Sequence, residues 1–154
     1  MDLKHALESK LELTVANCGR VNSPQRLFSA IKHAVFPGGA RIRPRLCLAI
    51  ASSFEKTDLE LALSASVSIE LLHCASLVHD DLPCFDNADL RRGQLSVHRA
   101  FDERLAILAG DSLIVEAFRS LNCCDTTNFD RLRKIMGFIS DGVGSISGII
   151  AGQA

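Results

Sequence analysis

The run from Leu59 to Val78 constrains this chain more than any other stretch. Its twenty residues are interrupted by charge or imidazole only at Glu60, Glu70 and His73. On a helix its apolar residues point in almost every direction, so no face is left to meet water. Two surroundings suit such a helix, the middle of a helical assembly and a lipid bilayer. The length meets the rule of roughly 20 residues for a transmembrane helix, but Glu60, Glu70 and His73 are each expensive at a bilayer centre. A buried helix of a soluble protein is the better reading, and no membrane span is expected.

The flanking sequence supplies helices to surround it. Leu3, Leu7, Leu11 and Thr14 recur at helical spacing over residues 2–16, and the pattern stops near Asn17-Cys18-Gly19. Ser23-Pro24 reads as an N-cap and first helical residue, with Leu27, Phe28, Ile31, Ala34 and Val35 on one face and Pro37-Gly38-Gly39 as the stop. Pro44 opens a third helix through Leu46, Leu48 and Ile50, and Thr57 or Asp58 caps the long one, which ends near His79. Leu82-Pro83 then starts a loop to about Ser96, because a proline ring restricts the residue before it. Helices follow over about 101–121 and after Asn128, the latter with Phe129, Leu132, Ile135, Met136 and Ile139 on one face. Five of the ten glycines fall between Gly137 and Gly152, which leaves open a close-packed helix face or a flexible tail. No strand alternation or repeat is visible, so the chain reads as all-α and as a single domain over 1–154.

Composition narrows the function. A net charge of -1 gives no basic footprint, which argues against nucleic acid as a partner. The six cysteines form no C-x-x-C and sit mostly in apolar runs, reading as buried small hydrophobes in a reducing compartment. The opening Met-Asp-Leu-Lys-His lacks a basic segment leading into an apolar one. A cytoplasmic location is expected.

The chemistry gathers just after the apolar helix. Asp80, Asp81, Asp86, Asp89, Arg91 and Arg92 fall within thirteen residues. Asp80 and Asp81 close a helix where the macrodipole is negative and carboxylates are disfavoured by several tenths of a kcal/mol each. A divalent cation would compensate them, and magnesium suits a carboxylate pair because it keeps waters and takes phosphate oxygens as further ligands. Arg91 and Arg92 offer planar forks for those oxygens. A solvated turn with an internal salt bridge is the ordinary alternative. Position after the most apolar helix favours the first reading, since a substrate with a diphosphate head and a hydrocarbon tail needs charge facing an apolar channel.

Asp80-Asp81-x-x-x-x-Asp86 followed by Asp89-Leu90-Arg91-Arg92-Gly93 resembles the first aspartate-rich motif of the trans-isoprenyl diphosphate synthases. Three other segments agree in order and spacing: Gly38-Gly39-Ala40-Arg41-Ile42-Arg43-Pro44, Glu70 to His79, and Leu108-Ala109-Gly110-Asp111-Ser112-Leu113. The resemblance runs from about Leu27 to the last residue and is nearest to bacterial geranylgeranyl and farnesyl diphosphate synthases. It implies an antiparallel helical bundle of the isoprenoid synthase type, incomplete at its C-terminal side, that pairs with a second copy through helices as a homodimer. It also implies condensation of isopentenyl diphosphate with an allylic diphosphate, assisted by Mg2+ or, as a substitute, Mn2+. Residue by residue, Asp80, Asp81 and Asp86 would hold metal and Arg91 the allylic diphosphate. Arg43, His73 and Arg92 would bind isopentenyl diphosphate, Gly39 would be a further substrate-binding residue, and Gln153 would face the allylic site. Ala75 and Ser76, about one turn (roughly 5.4 Å) above the metal site, stand where a bulky residue would floor the channel. Both are small, and the two-residue insertion between Asp81 and Asp86 resembles geranylgeranyl diphosphate synthases, so the resemblance implies a twenty-carbon product.

Two departures stand out. Ala40 occupies the place of a lysine that grips isopentenyl diphosphate in most members, and Arg41 is the candidate to compensate. The family's second aspartate-rich motif is not in the sequence, so the expectation is an N-terminal portion with little independent activity. Two rival readings follow: a catalytically incomplete partner subunit of a full-length synthase, and a di-metal carboxylate bundle built on Glu70-x-x-His73. Elsewhere His79 is read as a helix-end residue, His98 as an ordinary loop residue, Asp111 as a buried acid, and His5 and His33 as surface.

Overall fold

The computed structural model describes residues 2–154. Among them lie eight helices: α1 (Leu3–Asn17), α2 (Gln25–Val35), α3 (Ile42–Ser52), α4 (Leu59–Asp80), α5 (Val97–Ala100), α6 (Glu103–Asn122), α7 (Phe129–Val143) and α8 (Ile149–Gln153). The all-α expectation holds, with one correction. A small antiparallel hairpin, β1 (Leu90–Arg91) and β2 (Gln94–Leu95), interrupts the expected loop. Its turn is Arg92-Gly93 with φ of 55° and 81°, the two left-handed residues that let a two-residue turn follow the twist of its strands. Two-residue strands are too short to alternate, so the sequence could not announce them.

Helix α4 forms the axis of the fold. Asp58 caps it by accepting a hydrogen bond from the Leu61 amide at 3.0 Å, and fourteen of its residues are buried on all sides. It is long and apolar enough to cross a membrane, but most of it is buried within the protein. Helix α6 packs antiparallel along it. At one end His79 Nε2 lies 3.4 Å from the Ile107 carbonyl, and at the other Ser120 Oγ lies 3.4 Å from the Ser64 carbonyl. The helices approach closely because Gly110 faces His79: a Cβ there would lie 2.1 Å from the ring nitrogen.

Outer helices fill the remaining sides. Leu7, Leu11 and Val15 of α1 and Ala30, Ile31 and Val35 of α2 join the same core. Helix α2 starts at Gln25, one residue later than read, with Pro24 as N-cap and no side-chain cap. Helix α3 starts at Ile42, so Pro44 sits inside its first turn rather than opening it. The glycine-rich end is neither one long helix nor a coil: α7 stops at Val143 and α8 resumes at Ile149.

The cysteine reading needs correction. Cys74 alone is buried, Cys84 and Cys123 are exposed, and the others are intermediate. Asp111 is exposed rather than buried, and His98 is buried on α5, with Nδ1 at 3.0 Å from Ser96 Oγ. His5 is exposed as expected, whereas His33 is half-buried, with Nε2 2.7 Å from the Leu95 carbonyl.

Candidate functional site

The site grows out of the way α4 ends. The last carbonyls of a helix lack intrahelical partners, and here the following loop turns back to supply them. The Leu82 amide donates to the His79 carbonyl at 3.1 Å, the Asp86 amide to Asp80 at 2.9 Å, and the Ala88 amide to Asp81 at 3.1 Å. Pro83, which has no amide hydrogen, falls where none is needed. The loop therefore brings the backbone of Asp86 against Asp80, and one helix end carries all three carboxylates.

These acids have different surroundings. Asp81 is only 2% exposed, and Arg91 grips it with Nε at 3.0 Å and 3.2 Å from its two oxygens, reinforced by Nη2. This pairing raises the Arg91 pKa, chiefly through the Asp81 hydrogen bonds. Asp80 is half-buried and Asp86 exposed, and neither has an ion-pair partner among the described residues.

Asp80 opens onto an apolar groove of about 440 Å³. Ser76 lines it from α4, Ile107 from α6, and Ile149, Ile150 and Gln153 from α8. Of the two residues expected to floor a channel, only Ser76 reaches this groove. Ala75 is 1% exposed and packs into the core. A larger apolar groove of about 680 Å³ lies along the other half of α4, between Leu61 and Ile69, away from the aspartates.

A second, basic cluster forms on another side of α4. Arg43 Nη1 lies 3.1 Å from His73 Nε2. Burial, and then the Arg43 charge, hold the His73 imidazole below its usual pKa, so the neutral ring accepts that hydrogen bond. Arg92 passes over Gly39, where a Cβ would sit 3.1 Å from Arg92 Nε. Gly39, Arg43, His73 and Arg92 are thus gathered from a loop, two helices and the hairpin turn. Gln94 pins that hairpin by donating to the His33 carbonyl at 3.1 Å.

Arg41 does not join them, which corrects the expectation that it stands in for a lysine at Ala40. Its guanidinium is buried, donating to Glu70 at 2.7 Å, Glu8 at 3.1 Å and the Val35 carbonyl at 3.0 Å. The same pair removes the di-metal reading, because the Glu70 carboxylate is held by Arg41. Among the described residues no three His, Cys, Asp or Glu side chains converge on a point that could hold a metal. Sequence reasoning missed Phe85, Ile107, Ile149 and Ile150 as groove residues. Their only signal was apolarity next to charge.

The polyprenyl synthetase family model matches residues 24–153. The chain belongs to the polyprenyl synthetase family. It is 44% identical over its full length to the geranylgeranyl diphosphate synthase of Rhodobacter capsulatus, covering 53% of that protein. A chloroplastic geranylgeranyl pyrophosphate synthase of Catharanthus roseus is 37% identical over 86% of this chain, which covers 37% of the plant protein. The geranyltransferase structure from Legionella pneumophila superposes with a TM-score of 0.86 at 34% identity, over 97% of this chain and 52% of that one. The chain spans about half the length of the bacterial relatives it matches. Residues 80–93 therefore sit on the fold that the resemblance implied.

Proposed function

We propose that this chain carries the diphosphate-binding part of a prenyltransferase that condenses isopentenyl diphosphate with an allylic diphosphate to give geranylgeranyl diphosphate. One juxtaposition carries the reading: Asp80 at the mouth of an apolar groove, with a separate basic cluster of Arg43, His73 and Arg92. A charged head beside a hydrocarbon tail fits the first, and a second diphosphate fits the other.

Magnesium suits the donors at the helix end. Asp80 and Asp86 present hard oxygens without protein counter-ions, and this ion commonly takes one or two carboxylates with substrate phosphates filling its shell. Asp80 and Asp86 would supply the first ligands, and Asp81, paired with Arg91 in this structure, would join them once Arg91 turns to the diphosphate. Bound there, the ion would withdraw charge from the allylic diphosphate as the carbon–oxygen bond ionises. Arg91 would grip that diphosphate, Gln153 would face it from α8, and Gly39, Arg43, His73 and Arg92 would seat isopentenyl diphosphate. Ser76 leaves room for a long chain in the groove. Exposed Val115 on α6 and Phe129 and Phe138 on α7 support pairing with a second copy through helices, and a cytoplasmic setting belongs to the same reading.

Calorimetry with a thio-analogue of farnesyl diphosphate tests it. Binding should require Mg2+, and Asp80→Asn with Asp86→Asn should remove that requirement's benefit. Equal affinity with and without Mg2+ in the native chain would sink the proposal. Turnover of farnesyl diphosphate with labelled isopentenyl diphosphate, read by product chromatography, then reports whether the 154 residues are active by themselves.

A further inference from the structure

Among the described residues Glu70 is the one acid that lies within 4.0 Å of both Arg41 and Arg92. Its side chain is 2% exposed and sits on α4 one turn before His73. On one side it accepts from Arg41 Nη1 at 2.7 Å. On the other, Arg92 Nη2 lies 4.0 Å away. Arg41 is itself the N-cap of α3, with φ of 51°, and its guanidinium covers Gly38, where a Cβ would lie 2.2 Å from it. Fixing Arg41 therefore fixes the loop that presents Gly39 and the helix start that presents Arg43.

Arg92 is also held in an uncommon way. It occupies the left-handed region at φ 55° in the hairpin turn, and its side chain crosses Gly39. Glu70 is closer to Arg41 than to Arg92, so one carboxylate is shared unequally between two guanidiniums. Arg41 is neutralised, with help from Glu8 at 3.1 Å. Arg92 is drawn into place yet keeps most of its charge for an anion.

We propose that Glu70 is a positioning residue for a diphosphate, aiming Arg92 directly and Arg43 through Arg41. The proposal rests on the reading that Arg43, His73 and Arg92 bind that diphosphate. It makes a counter-intuitive prediction in sign. A buried carboxylate near an anion site repels the anion, so removing its charge alone should tighten binding. If Glu70 instead aims the arginines, removing it should loosen binding.

The experiment is calorimetric titration of the native chain and its variants with inorganic pyrophosphate, with helicity checked by circular dichroism. Arg43→Ala and Arg92→Ala test the underlying reading, and unchanged affinity in both would overturn it. With that reading secure, Glu70→Gln should weaken pyrophosphate binding about tenfold, the loss expected when a charge-assisted contact is misaimed. Unchanged or tighter binding overturns the positioning role alone. If Glu70→Gln does not fold, Glu70→Asp decides, because it keeps the charge and shortens the reach by one methylene. A several-fold loss in Glu70→Asp supports positioning, and native affinity refutes it.

Discussion

Arg91→Ala should make the empty protein bind divalent metal more tightly. In the native chain Arg91 occupies both oxygens of Asp81, so a cation seeking that carboxylate must compete with a resident guanidinium. Hydrogen bonds to charged groups are worth about 1.5–3 kcal/mol. The Arg91 side chain is 36% exposed, and solvent screening points to the lower end of that range. Relief of about 1.5 kcal/mol corresponds to roughly a tenfold gain in affinity, measurable by titrating Mn2+ into diphosphate-free protein. The same variant leaves Asp81 buried and unpaired, which costs about 1–3 kcal/mol. Its thermal midpoint without metal should therefore drop, and added Mn2+ should restore more of it than in the native chain. With pyrophosphate present the advantage should reverse, because Arg91 is then missing from the diphosphate. A folded Arg91→Ala protein with native or weaker Mn2+ affinity would refute this competition.

Three other outcomes follow from side-chain placement. Ser76→Phe, which fills the groove beside Asp80, should weaken binding of a fifteen-carbon thiodiphosphate about tenfold more than a five-carbon one. Ala75→Phe should instead lower stability by about 1–3 kcal/mol through overpacking, and equal ligand discrimination in the two variants would contradict their different facings. His73 has a folded pKa below that of the free imidazole, from burial and then Arg43. The folded state thus binds fewer protons than the unfolded one below about pH 6.5. Stability should be complete above that pH and fall as pH drops through the folded pKa, and urea midpoints of His73→Asn should show a shallower acid loss. Iodoacetamide should label exposed Cys84 and Cys123 first, whereas burial raises the thiol pKa of Cys74 and lifts that of Cys18 to about 11. Early labelling of Cys18 in peptide maps would count against that burial.

Much of the fold was legible because its local signals are strong. Asp58, one of the two residues read as a cap for α4, does cap it, as short acidic side chains do, and Pro37-Gly38-Gly39 ends α2 where the backbone cannot continue. The all-round apolar run of α4 placed it at the centre, and the crowding of acids and arginines after it pointed to the candidate site. What that run could not reveal is direction. A helix buried on every side has no polar stripe to set its rotation, so the sequence treated Ala75 and Ser76 alike, and only the packing of α6 and α8 put Ser76 in the groove. It also treated the charged residues as equally free. Packing decided that Arg41 turns inward to Glu70, that Arg91 closes on Asp81, and that Asp80 and Asp86 stay open. Partner choice among nearby charges depends on distance and on water exclusion, and neither exists until the helices have come together.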